Sequence, residues 1–221
     1  MSLELVSFKL CPFVQRAVIT LKHHGMDYDI TYINLDEPPE WFHEVSPMEK
    51  VPVLRVDGEH NMFESAVIAE YLDSIAAAPV QPADPLQRAM NKSWTELGSA
   101  CLGDLFELTG AQDEPAYKRA KAALVDKLEL FEEQIQGPFF NGDAPALIDF
   151  STAPLLMRLS ILGEHVPVFD RAELPKLAAL SDRLLAMDEV RDSVVPELPM
   201  MYRMMVNKRS PLCAEMHQIK Q

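Results

Sequence analysis

The sequence predicts a chain of two unlike parts: an α/β domain in the order βαβ-ββα, followed by an all-helical domain. Three observations carry this. Short runs of alternating apolar residues occupy the first third of the chain. After them, apolar residues recur at three-to-four spacing. Between the two regimes lies the proline-punctuated stretch Ala78-Pro79-Val80-Gln81-Pro82-Ala83-Asp84-Pro85. The predicted division is residues 1–78, a stiff linker at 79–85, and residues 86–221.

Leu3 to Phe8 alternates and reads as the first strand. Pro12 to His24 places Phe13, Ala17 and Leu21, with Val14 and Val18, on one face of a helix that Gly25 stops. Tyr28 to Leu35 alternates again. Pro38-Pro39 and Trp41-Phe42 open a short irregular helical piece. Val51 to Val56 is a third strand, and the Asp57-Gly58 turn leads to a fourth near Asn61–Phe63. Ser65 to Ala77 is a helix with Val67, Ile68, Tyr71, Leu72 and Ile75 inward. Beyond the linker, Leu86–Leu108, Ala116–Gln136, Phe150–Leu162 and Leu174–Met187 read as helices. The cluster Met200, Met201, Met204 and Met205 lies on a short amphipathic stretch. It suits either soft packing or the lining of an apolar pocket.

Composition narrows the function. With 48% hydrophobic and 24% charged residues, the chain has globular rather than disordered balance. The net charge of −14 disfavours nucleic acid and anionic membrane surfaces as partners. No apolar run approaches the ~20 residues of a membrane span, and the N-terminus carries no secretory signal pattern, so a cytoplasmic location is expected. Cys11, Cys101 and Cys213 are too scattered for a disulfide framework, and no pair has zinc-ligand spacing.

Chemistry concentrates at three places. Cys11 precedes Pro12, which suits the first position of a helix because its missing N–H would have no intrahelical partner. Cys11 then stands at the helix N-cap. There the amides of Phe13 and Val14 and the helix dipole favour a thiolate and hence a nucleophile. The competing reading is a small buried cysteine packed under the helix. The fourth position of Cys11-Pro12-Phe13-Val14 is not a second cysteine, so a mixed disulfide on Cys11 needs an external thiol, or Cys101 or Cys213, to resolve it. At Glu49-Lys50-Val51-Pro52, a cis Val51–Pro52 bond would turn the Val51 backbone outward like the edge of an added strand. Cis bonds are only about 5–6% of X–Pro bonds, so the sequence alone leaves this open. Lys50 suits a ligand carboxylate or is simply a surface lysine. Finally, Ser65 reads as a helix N-cap, with Glu64 before it placed to pair an ammonium.

In this order and spacing, Cys11-Pro12-Phe13-Val14-Gln15-Arg16, Val51-Pro52 and Glu64-Ser65 resemble the glutathione transferase superfamily. With Pro39-Glu40-Trp41-Phe42, they are similar to its omega class and the bacterial Cys-type relatives. The resemblance spans the chain and implies a thioredoxin-like N-terminal domain with a helical C-terminal domain. It implies glutathione as co-substrate, no metal, and a homodimer. It places Cys11 at the glutathione sulfur and Phe13 in the glutathione site. The Val51 backbone, with Pro52 cis, would meet the cysteinyl moiety, Glu64 and Ser65 the γ-glutamyl group, and Lys50 the glycyl carboxylate. A cysteine there implies thiol transfer or reduction of a small electrophilic or disulfide substrate: mixed disulfides, dehydroascorbate, or α-substituted ketones and quinones. Dehalogenation, ether cleavage or conjugation on the same fold, or a non-enzymatic binding role, are the alternatives. For the second substrate the resemblance offers Leu10, Phe13, Trp94, Cys101 and the Met200–Met205 stretch. One departure stands out: Ala146-Leu147-Ile148-Asp149 lacks the hydroxyl that usually caps this helix, a loss of about 1 kcal/mol unless Asp149 reaches back to the Ala146 N–H.

Overall fold

A computed structural model describes residues 1–219; the last two positions of the predicted helical domain, 220 and 221, lie outside the described residues. The N-terminal domain runs β1 (Leu3–Ser7), α1 (Pro12–His23), β2 (Asp29–Tyr32), α2 (Phe42–Val45), β3 (Val53–Val56), β4 (His60–Phe63), α3 (Ser65–Ser74). The sheet order is β2-β1-β3-β4. β1 and β2 pair in parallel across α1, and the remaining neighbours are antiparallel. Leu5 faces Ile30 on one side and Leu54 on the other, so the alternation seen in the sequence buries Leu3, Leu5 and Leu54 in register. Val14, Ala17, Val18 and Leu21 of α1 join Ile68 and Leu72 of α3 in the same core. This is the thioredoxin-like arrangement.

Gly25 ends α1 as expected. It takes φ +60°, its N–H donates to Lys22 and that of Met26 to Leu21, the double bond of a Schellman motif. β2 is shorter than the alternation suggested. Asn34 Oδ1 accepts the Asp36 N–H in a local turn, which draws the chain away from β1.

The helical domain contains α4 (Pro85–Leu108), α5 (Glu114–Gln134), α6 (Leu147–Leu162), α7 (Pro175–Ala186), α8 (Asp188–Arg191), α9 (Leu198–Arg209) and α10 (Pro211–Met216). α8 and α10 were not anticipated, because four and six residues are too few to show a helical period. The methionine stretch lies on α9. α6 is apolar on nearly every side and occupies the middle of the bundle, touching α1, α4, α7 and α9. It therefore bridges the two domains directly behind α1.

The connection between domains is tied down by a residue the sequence did not single out. Asp73, 1% exposed, accepts the Val80 and Gln81 N–H groups at 2.8 and 3.1 Å and meets His24 Nε2 at 2.9 Å.

α6 starts three residues earlier than the apolar pattern alone suggested. The Asp149 carboxylate accepts the Ala146 N–H and the Phe140 N–H, both at 2.9 Å, which supplies half of a capping box and anchors the preceding loop. Asp149→Ala is expected to lower the unfolding free energy by roughly 3 kcal/mol, because two buried N–H groups lose their acceptor. Asp149→Asn, which keeps one acceptor, should cost about half as much. Denaturant midpoints of the two variants test this.

Candidate active site

Cys11 sits where β1 hands over to α1. Its N–H donates to Phe8 at 2.9 Å, closing the turn that ends the strand. Its backbone is extended (φ −72°, ψ 117°), it occupies the N-cap of α1, and Pro12 takes the first helical position. No amide closes a cap hydrogen bond to its sulfur, though the Phe13 and Val14 N–H groups favour its charged form.

The Val51–Pro52 bond is cis. The Val51 carbonyl turns toward Cys11, whose thiol donates to it at 3.7 Å. The Val51 N–H has no partner among the described residues. Lys50 is fixed by its backbone: its N–H donates to Ser46 Oγ at 2.9 Å, and its carbonyl accepts the Ser46 hydroxyl at 2.8 Å. Its ammonium has no partner among the described residues.

Glu64 and Ser65 depart from the expected cap. Glu64, not Ser65, occupies the N-cap of α3, and its side chain makes no cap bond. Ser65 is the first helical residue, and its hydroxyl accepts Arg16 Nη1 at 3.3 Å. The cause is the Glu64 backbone, held at φ +68°, a conformation that costs a non-glycine residue about 1–3 kcal/mol. This turn leaves the Glu64 carboxylate exposed and lets the helix begin at Ser65 itself, one residue earlier than a Ser65 cap would.

One cleft of about 180 Å³ is lined by Phe13, Lys50, Val51, Pro52, Glu64 and Ser65. All six residues assigned by resemblance to the tripeptide site thus come together. A second, larger cavity of about 470 Å³ adjoins it, sharing Phe13, Lys50 and Val51, and contains Cys11. Its far wall belongs to the helical domain: Leu102 and Phe106 of α4, Arg158 of α6, Tyr202 and Met205 of α9. Leu10, Phe13 and Met205 line this cavity. Trp94 instead packs on Phe131 and Phe140, Cys101 is fully buried, and Met200 and Met204 face outward. Arg158 and Tyr202 were missed because no motif marks them. An arginine inside an apolar helix was the one available signal.

The helix position suggested a resting thiolate, and the surroundings of the sulfur oppose it. Burial pushes the Cys11 thiol up from its ordinary value, outweighing the Val14 and Phe13 amides and the Arg158 and Arg16 charges that pull it down. The bond to the Val51 carbonyl also holds the proton in place. Cys101 and Cys213 are pushed up to about 12 by burial, which makes both poor resolving thiols. Among the described residues no group of three or more His, Cys, Asp or Glu could hold a metal ion, and no helix is long and apolar enough to cross a membrane.

The chain matches the family descriptions "Glutathione S-transferase, N-terminal domain" over residues 10–75 and "Glutathione S-transferase, C-terminal domain" over residues 114–183. It is 32% identical over 174 residues to glutathione S-transferase omega-1 of Rattus norvegicus, covering 75% of this chain and 72% of that one. The chain belongs to the glutathione S-transferase family. This glutathione S-transferase is also 31% identical over 194 residues to pyrimidodiazepine synthase of Drosophila melanogaster, covering 82% and 76% of the two chains. Its fold superimposes on glutathione transferase Omega 3C from Trametes versicolor with a TM-score of 0.78 at 25% identity, over 87% and 89% of the chains. It is an enzyme of the omega-like group, and glutathione is its co-substrate.

In the free transferase, alkylation of Cys11 by iodoacetamide should accelerate with pH and reach half-maximum above the midpoint of an ordinary cysteine. The thiolate is the reactive form, and burial disfavours it. Cys101 and Cys213 should stay unmodified in the native protein. Peptide mass analysis across a pH series reads all three sites.

Proposed function

We propose that this transferase moves thiols: Cys11 attacks the sulfur of a glutathione mixed disulfide, and a second glutathione restores the free cysteine. The observation that carries this reading is one lone sulfur at a helix N-terminus, in an apolar cavity that adjoins the cleft holding Lys50, Val51, Glu64 and Ser65. Lys50, the outward Glu64 carboxylate and the free N–H groups opening α3 match the two carboxylates and one ammonium of glutathione. The unpaired Val51 N–H and the adjoining carbonyl match a peptide that pairs as an extra strand.

The chemistry balances as follows. The Cys11 thiolate attacks the glutathionyl sulfur of G–S–S–R, forming Cys11–S–S–G and expelling R–S⁻, which takes a proton from solvent. A glutathione thiolate then attacks the glutathionyl sulfur of Cys11–S–S–G, releasing oxidised glutathione and the Cys11 thiolate. A ligand amide that takes the Val51 carbonyl removes the acceptor now holding the Cys11 proton. Ligand binding thereby favours ionisation. The apolar cavity suits the R group, and its far wall comes from the helical domain.

Cys11→Ser should lower turnover of a glutathionylated peptide at least a hundredfold, while retention on immobilised glutathione persists. Native protein treated with oxidised glutathione should gain one glutathione, located on Cys11. Undiminished turnover in the variant, or an adduct on Cys101 or Cys213 instead, defeats the mechanism.

A homodimer belongs to the same proposal. Phe63 at the end of β4, Val67 on α3, and Leu86 and Met90 on α4 remain 45–71% exposed, an apolar surface suited to a second copy. Sedimentation equilibrium should return about twice the 24.9 kDa of one chain.

A further inference from the structure

Two arginines are buried around Cys11, one on the helix that Cys11 caps and one lining the cavity that contains it, in a protein of net charge −14. Arg16 is 1% exposed and Arg158 is 2% exposed. A buried charge is ordinarily matched by an opposite one, because an unmatched ion in a low-dielectric interior is costly. Neither arginine has a carboxylate partner among the described residues. Arg16 donates from Nε to the Ser151 carbonyl at 2.9 Å, and from Nη1 to the Ser65 and Ser99 hydroxyls at 3.3 and 2.9 Å. Arg158 donates from Nη1 to Gln15 Oε1 at 2.7 Å and to the Pro154 carbonyl at 3.0 Å. From Nη2 it donates to the Leu10 carbonyl at 2.9 Å. Every acceptor is neutral. Arg16 Nη2 and Arg158 Nε have no partner among the described residues.

We propose that Arg16 and Arg158 are positioning residues that form an electrostatic bracket for negative charge on the Cys11 sulfur, and that neutral acceptors hold them so that their charge stays available to it. The bracket deepens the thiol-transfer reading and rests on it. Gln15 is the clearest part of the device. Its carboxamide is oriented by donation to Ser193 Oγ at 3.0 Å and to Met157 Sδ at 3.3 Å, which leaves its oxygen for Arg158. A carboxylate of the same shape would hold Arg158 more tightly and cancel its field. Arg158 also takes the carbonyl of the residue just before Cys11, so the helical domain fixes both the position and the electrostatic surroundings of the sulfur. The other ionisable groups facing the sulfur are few. Tyr202 of α9 lines the same cavity, as do Lys50 and Glu49 from the segment before β3; Glu96 of α4 acts on Arg16.

The pH midpoint of Cys11 alkylation in ligand-free protein tests the bracket. Arg158→Met should raise the midpoint by about one unit or more, a tenfold loss of thiolate at fixed pH. Arg158→Lys, which keeps the charge, should stay within about 0.3 unit of the native value. Gln15→Glu, nearly isosteric, should raise the midpoint by roughly half a unit or more by neutralising Arg158. A native midpoint in folded Arg158→Met or Gln15→Glu overturns the proposal. So does an Arg158→Lys shift as large as that of Arg158→Met, because geometry rather than charge would then be responsible. If Arg158→Met does not fold, as circular dichroism will show, Gln15→Glu decides alone. Failure of thiol transfer with a displaced midpoint would refute the reaction and keep the bracket; an unmoved midpoint with intact thiol transfer would do the reverse.

Discussion

The guanidinium of Arg158 leaves the helical domain and binds the peptide carbonyl immediately before Cys11, while its other arm takes the Gln15 side chain one turn into α1. This contact sets the relation between the two halves of the site. The N-terminal domain contributes the sulfur, the Val51 edge and the opening of α3. The helical domain contributes the far wall of the larger cavity. A shift of α6 would displace that wall and the turn leading into Cys11 together. The arrangement explains why a helix that is apolar around most of its circumference carries one buried cation.

Two electrostatic effects compete at the sulfur. The helix N-terminus and nearby cations favour charge, and removal from water opposes it. In the free protein, removal from water is the larger effect, so Cys11 holds its proton against the Val51 carbonyl. An N-cap position is therefore an incomplete argument for a reactive cysteine, since the same fold that aims amides at the sulfur also covers it. What remains is a site whose stabilising groups stand in place before any charge forms. Little reorganisation is then needed when a ligand takes the carbonyl away.

Much of the fold was legible. The period of two in β1 and β3 and the period near 3.6 from α3 onward identified the elements, and Gly25 and Pro12 marked the limits of α1. Where an element boundary shifted, a local hydrogen bond or a single backbone conformation had overridden the pattern. Asn34 shortened β2, Asp149 lengthened α6, and the Glu64 backbone moved the N-cap of α3 from Ser65 to Glu64. The six residues assigned by resemblance to the tripeptide site do line one cleft, because each lies beside a chain-order landmark: a strand end, an X–Pro step or a helix start.

The sequence by itself determined the βαβ-ββα order, the helical second domain, and the lone cysteine before a helix-opening proline. These are local matters, settled by periodicity and by the conformational limits of single residues. Only the tertiary structure decided which helical residues face the sulfur, that Trp94 and Cys101 pack inward while Arg158 and Tyr202 line the cavity, and that burial outweighs the helix dipole at Cys11. Those outcomes depend on distances between segments far apart along the chain and on how much water each group loses. Neither quantity is written in the spacing of residues along the chain.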